Sequence, residues 1–370
     1  MPLWSEPSLA SPADLAACRA LLRAGSRSFQ AASRLLPGRV RDDAVALYAF
    51  CRVADDVIDQ DAGQARDGGA RDGGAGDGGA RDGGALGWLR ERLALAYAGT
   101  PMPIPADRAL ADLVARRRIP MALPAALLEG FAWDAEGRRY EDLSAVIAYA
   151  VRVAGSVGAM MALLMGARRP HVVARACDLG VAMQLTNIAR DVGDDARAGR
   201  LYLPRSWLRE AGIDPDAWLA RPVFNDALAT VVRRLLQEAE VLYRRAEDGI
   251  GRLPLSCRPG ISAARLLYAE IGHAVERRGF DSVSGRAVVP AARKMQVLAR
   301  GLCVGPKADR PGTMQSLPEA EFLIEAVADA MARSRAPQTA PVLRSGSRLV
   351  WVIDLFARLE RRDQLGRAAP

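Results

Sequence analysis

The sequence predicts an all-α protein, on three observations. Apolar residues recur at three- and four-residue spacings through most of the 370-residue chain, and these stretches start at capping residues and stop at Gly or Pro. No stretch alternates apolar and polar residues as a half-buried strand does. No Gly-rich turn joins a strand to a helix, which excludes the Rossmann and P-loop classes of enzyme. Half of the residues are hydrophobic and a quarter charged, so the chain can bury a large core without staples.

Ser11-Pro12-Ala13-Asp14 supplies a cap, a Pro for the first turn and an early acid, and predicts a helix to about Leu35, stopped by Leu36-Pro37-Gly38. The next helix spans about 40–59. Further helices are expected at about 86–98, 106–117, 123–135, 143–166, 170–194, 225–250, 259–280 and 286–303. Residues 61–85 repeat Ala-Arg-Asp-Gly-Gly and hold 10 of the 34 glycines. Such a stretch has too little apolar surface to offset its ordering entropy and reads as a flexible surface insert. The expected organisation is one helical domain over 1–303 and an extension over 304–370, with helices at 318–333 and about 346–362. The apolar run Val153–Ala167 is too short to span a bilayer and is rich in small residues, as a closely packed helix requires. The N-terminus lacks a basic leader, so a cytoplasmic location is expected.

Composition narrows the chemistry. The five cysteines are scattered, which excludes a disulfide scaffold, and two histidines, His171 and His273, cannot build a His-rich metal site. Any metal chemistry must use carboxylates, hence hard ions such as Mg²⁺ or Mn²⁺. The net charge of +8 rests on Arg in 49 of 51 basic residues, spread along the chain among acids. No basic stripe or aromatic platform accompanies it, so nucleic acid is not an expected partner.

Two Asp-x-x-x-Asp pairs occur, Asp55/Asp59 and Asp191/Asp195. Each lies near the C-terminal end of an apolar predicted helix, where the helix dipole disfavours negative charge. Residues four apart share a helix face with Cβ atoms about 5–6 Å apart, so each pair can hold cations between its carboxylates. Four converging carboxylates and a diphosphate require two or three divalent ions for charge balance, with Arg52 and Arg190 supplying the rest through forked hydrogen bonds. Gln184, Asn187 and Asp191 share one face of an otherwise apolar helix, a polar stripe that needs partners inside the protein.

Several ordered segments resemble the head-to-head prenyl synthases, the squalene/phytoene synthase family. They are Ser26-Arg27-Ser28-Phe29, Leu35-Leu36-Pro37, Ala46–Arg52 through Asp55-Asp56, Val153–Gly158, Gln184–Asn187 through Arg190-Asp191, and Gly199–Pro204, with the series Asp134, Tyr140 and Tyr149. The resemblance covers roughly 15–300, less the insert. It implies an isoprenoid-synthase fold, a single helical domain around a central active-site cavity. It also implies that Asp55, Asp59, Asp191 and Asp195, assisted by Asn187, hold Mg²⁺ or Mn²⁺ and prenyl diphosphates. Gln184 and Tyr140 would sit near the reacting carbons, and Ser28, Arg52, Arg190, Tyr268, Arg286 and Lys294 would contact diphosphate. Ser33 and Val45 would line a tunnel for the tail, their small side chains admitting a C20 chain.

The implied reaction condenses two geranylgeranyl diphosphates through a cyclopropylcarbinyl diphosphate to phytoene, without NADPH. The competing readings are a sister synthase that takes farnesyl diphosphate to squalene, dehydrosqualene or a hydroxysqualene, and a non-catalytic relative acting as a binding or assembly partner. An apolar stripe over 349–359 flanked by arginines would permit peripheral membrane contact, and downstream carotenoid enzymes are the expected neighbours.

Overall fold

The computed structural model describes residues 9–25, 33, 35–67, 84–303 and 315–333, with backbone only for 59–67 and 300–303. Among them every regular element is a helix. Helix α1 (Pro12–Gly25) starts as the sequence requires: the Asp14 amide donates to Ser11 Oγ at 3.2 Å and the Ser11 amide to Asp14 Oδ2 at 2.8 Å. Helix α2 (Gly38–Asp67) continues beyond 59 into the repeat, because Ala62, Gln64, Ala65 and Arg66 are good helix formers and the first Gly-Gly pair comes only at 68–69. Then follow α3 (Gly84–Tyr97), α4 (Pro105–Arg117) and α5 (Ala122–Ala135). The predicted helix at 346–362 lies outside the described residues.

The predicted helix at 143–166 has three parts: α6 (Leu143–Ala150), a π-helical turn (Val151–Gly155) and α7 (Ser156–Leu164). By length and composition Leu143–Leu164 could cross a membrane, but over half of its most apolar window is buried inside this chain. Its one strong charge, Arg152, pairs with Glu129 at 3.0 Å and lies over the Trp133 ring at 4.2 Å. Helix α8 (Pro170–Arg197) is the central element, packed most extensively on α11 (Asp226–Gly251) and also on α7, the π turn and α12 (Arg258–Arg277). A Cβ on Gly158 would lie 2.2 Å from the Ala176 carbonyl oxygen, and one on Gly180 equally close to that of Ala154. These glycines let the two backbones touch.

Two short helices, α9 (Arg205–Glu210) and α10 (Pro215–Ala220), carry no long apolar period and escape the sequence pattern. Helix α13 (Ala291–Cys303) begins later than predicted, after Pro290. A 3₁₀ turn (Pro318–Ala320) packs on α6 and the π turn, and α14 (Glu321–Arg333) packs onto α5, α7 and α8.

Candidate active site

Helix α8 is apolar over most of its length and acidic at its C-terminal end, and that change of character builds the site. Asp191 is held from two sides. Arg190 reaches it with Nε–Oδ1 2.7 Å and Nη2–Oδ2 2.5 Å, and Arg286 with Nε–Oδ1 2.8 Å and Nη2–Oδ2 3.1 Å. Arg286 comes from the loop between α12 and α13. That loop is fastened to α8 because the Gly193 amide donates to the Ser282 carbonyl at 3.0 Å. Only glycine fits there: a Cβ would lie 2.6 Å from the Val283 carbonyl oxygen. The glycine inside the second acidic motif thus places an arginine on its first aspartate. Asp195 has the opposite environment. Burial, then the neighbouring Asp191 charge, pushes its carboxyl up to about 7. Asp194 points outward to Arg197 at 2.6 Å.

An aromatic cluster adjoins this end. Tyr149 and Tyr202 donate to the two oxygens of Asp134 at 2.8 and 2.7 Å, and their rings stack at 5.1 Å. Tyr140 packs on Tyr149 at 5.2 Å, fully buried, and among the described residues its hydroxyl has no hydrogen-bond partner. Sequence reasoning singled out Tyr140 and passed over Asp134, Tyr149 and Tyr202 as site residues. The Tyr-Leu-Pro segment after α8 is where Tyr202 was legible.

Below the acidic end lies an apolar cavity of about 280 Å³. Its walls come from the π turn and α7 (Val157, Met161), from α8 (Leu179, Met183), and from α11 and α12. Gln184 and Asn187 line it as the predicted stripe requires, joined by a long Asn187 Nδ2 to Gln184 Oε1 contact of 3.4 Å. Tyr268 lines it too; burial raises its pKa, and the nearby Arg190 charge opposes the rise. The π turn supplies Val153 and Ala154 to the wall.

The first acidic motif is more open. On α2, Arg52 binds Asp56 through Nε–Oδ2 3.1 Å and Nη2–Oδ1 2.6 Å, and approaches Asp55 at 3.5 Å. The Asp59 side chain and Ser28 lie outside the described residues. Lys294 is half-buried in the first turns of α13, which packs on the helix carrying Tyr268. Ser33 and Val45 are buried, and neither lines the apolar cavity.

Among the described residues no three acidic, His or Cys side chains already form a metal-binding group. The donors available are all oxygens, as hard cations prefer. Half-buried Asp195 stands beside the Asp191 charge, a repulsion that a cation between them would relieve.

Helices throughout the described residues, and an apolar cavity whose lining runs up one helix to two amides below an acidic end, are the features of a prenyl-chain synthase. The squalene/phytoene synthase family matches residues 22–293, and the chain belongs to that family. It is similar to the phytoene synthase of Cereibacter sphaeroides, 48% identical over 359 residues and 95% of each chain. It is also similar to the phytoene synthase of Rhodobacter capsulatus, 52% identical over 287 residues, 78% of this chain and 80% of that one. The crystal structure of a dehydrosqualene synthase in complex with ligand shares the fold with a TM-score of 0.67 and 29% identity, over 79% of this chain and 96% of that one.

Proposed function

We propose that this chain condenses two molecules of geranylgeranyl diphosphate head to head to give phytoene for carotenoid synthesis. The observation that carries the reading is one helix face: going down α8, Asp195, Asp191, Asn187, Gln184, Met183 and Leu179 pass from carboxylates through amides to hydrocarbon. A prenyl diphosphate has the same polarity along its length. The 48% identity to a phytoene synthase over nearly all of both chains favours the C20 substrate over the C15 substrate of sister enzymes.

In the first half-reaction one diphosphate leaves, the C2=C3 double bond of the second molecule attacks the resulting allylic cation, and a proton is lost as the cyclopropane closes. In the second, the remaining diphosphate leaves, the ring rearranges to the 1–1′ bond, and loss of a proton gives the central double bond. The sequence is redox-neutral, so no NADPH is consumed. Mg²⁺ or Mn²⁺ held by Asp55, Asp59, Asn187, Asp191 and Asp195 would neutralise the leaving diphosphate. Arg190 and Arg286, now on Asp191, and Arg52, now on Asp56, are placed to turn to phosphate oxygens. Ser28, Tyr268 and Lys294 complete the diphosphate contacts. The tyrosine cluster offers aromatic faces to cationic carbon, Tyr140 among them, while the apolar wall excludes water that would quench it. Gln184, at the polar end of the cavity lining, would stand beside the reacting ends. Ser33 and Val45 line the path of the second tail; Val45→Trp is expected to move preference towards farnesyl diphosphate.

The hydrocarbon product requires a lipid surface or a downstream carotenoid enzyme to receive it, consistent with a cytoplasmic protein peripheral to the membrane. Ending the chain at residue 340 should abolish liposome binding; unchanged binding would sink that part. The reading as a whole is tested by diphosphate release from the C20 substrate with Mg²⁺. Two diphosphates per substrate pair, abolished by chelation, are expected, and no release would favour the non-catalytic relative.

A further inference from the structure

Among the described residues Arg175 is the one charged residue in the lining of the apolar cavity, and it lies at the end of α8 away from the acidic motif. It is fixed there. Its Nε meets Asp178 Oδ2 at 2.8 Å and its Nη2 donates to the Gln315 carbonyl at 3.1 Å. Arg245 of α11 repeats both contacts, at 3.0 Å to Asp178 and 2.6 Å to Gln315. Gly249 makes room for the side chain: a Cβ there would be 2.3 Å from Arg175 Cβ. Asp178 is buried, and among the described residues its Oδ1 has no hydrogen-bond partner. Gln315 lies beyond the family-matched stretch, which ends at 293, so a segment outside that stretch holds the cavity's far end in place.

We infer that Arg175, pinned by Asp178 and the Gln315 carbonyl, is the floor of one prenyl-tail site and sets the longest tail it admits. The inference rests on the proposed prenyl condensation. Helix α8 supplies the scale. The diphosphate belongs at Asp191, and from Asn187 to Arg175 the helix rises about 18 Å at 1.5 Å per residue. An extended chain advances about 1.2 Å per backbone bond, so the sixteen-carbon backbone of a C20 tail needs about 19 Å, a C15 tail about 14 Å and a C25 tail about 24 Å. One helical turn, about 5.4 Å, therefore corresponds to one isoprene unit. Arg175 has roughly the bulk of such a unit, and deleting it opens space for one more. A bulky residue one turn nearer the mouth, at Leu179, takes one unit away.

The test uses the full-length protein with Mg²⁺ and equimolar pairs of allylic diphosphates, reading hydrocarbon products by mass. Wild type given C20 and C25 diphosphates should make almost only the C40 product. Arg175→Ala combined with Asp178→Asn, which avoids leaving an unpaired buried carboxylate, should raise the mixed C45 product about tenfold or more, the scale of burying one more isoprene unit. The C45 product should exceed C50, since only one of two tail sites is deepened. Leu179→Trp, given C15 and C20 diphosphates, should raise the mixed C35 product by a similar factor. If the double variant fails to fold, Leu179→Trp decides alone. Unchanged C45:C40 and C35:C40 ratios in folded variants overturn the inference. A wild type that makes no C40 product overturns the proposed function instead.

Discussion

The two acidic motifs have similar spacing and opposite surroundings. At the end of the first, Asp55 and Arg52 are each more than two-fifths exposed and the acids share one arginine with water around them. At the second, Asp191 keeps only 18% of its surface, two arginines clamp it, and burial holds Asp195 partly protonated near neutrality. The same residue pattern thus gives one site that solvent already stabilises and one that depends on an added counter-charge. Exposed ion pairs contribute little because water screens them, whereas a buried carboxylate without compensation is costly. The second motif is therefore expected to dominate diphosphate activation.

The largest effect should come from Asp191→Asn. It removes a half-buried carboxylate and frees both arginines, and should lower kcat by about 10²–10³-fold, the range for losing one preorganised electrostatic contact. Asp55→Asn should cost less, about tenfold to 10²-fold. Steady-state kinetics on both decides; equal losses would break the contrast between the motifs.

Gly193→Ala comes next. Its Cβ would collide with the 282–283 backbone and displace the loop that carries Arg286. Activity should fall about tenfold and stability by about 1–3 kcal/mol, as overpacking usually costs. Arg286→Gln should reproduce the kinetic loss without the loss in melting temperature.

Two buried or partly buried acids predict opposite pH trends. Burial raises Asp178 to about 6, so its contribution to stability is present at low pH and is lost as pH rises from about 4 to about 6. Asp14, held well below the usual carboxylate range by Arg108, contributes above pH 4 and loses that contribution as pH falls further. The melting temperature of Asp178→Asn relative to wild type should therefore rise between pH 4 and pH 6, while that of Asp14→Asn should fall from pH 2 towards pH 5. Parallel trends would contradict these environments.

The smallest effect should follow deletion of residues 68–83. With almost no apolar side chains, this part of the repeat should leave activity within about threefold. A larger loss would mean that the segment takes part in the site.

How much of this was legible in the sequence follows from the kind of interaction involved. Helices with apolar periods and clear start signals, a capping side chain at α1 and α11 and a first-turn Pro at α8, were readable because both signals are local. The Gln184-Asn187-Asp191 stripe was readable because helix geometry fixes which residues share a face. Partners remote in sequence were not. Arg286 reaches Asp191 across 95 positions, and Tyr202 reaches Asp134 across 68. The packing of α12 and its following loop on α8 brings the first pair together, and the return of the segment after α8 to α5 brings the second. The π turn at Val151–Gly155, which packs on α8, was hidden as well, since its sequence reads as ordinary helix.

The central claim is that this molecule makes a C40 hydrocarbon from two C20 diphosphates without a reductant. Product identification after incubating the purified protein with Mg²⁺ and geranylgeranyl or farnesyl diphosphate, with and without NADPH, tests it most directly. Phytoene from the C20 substrate, unaffected by NADPH and formed in preference to any C30 product, is the expected result. A C30 hydrocarbon as the favoured product, or a C40 product that forms only with NADPH, would contradict it.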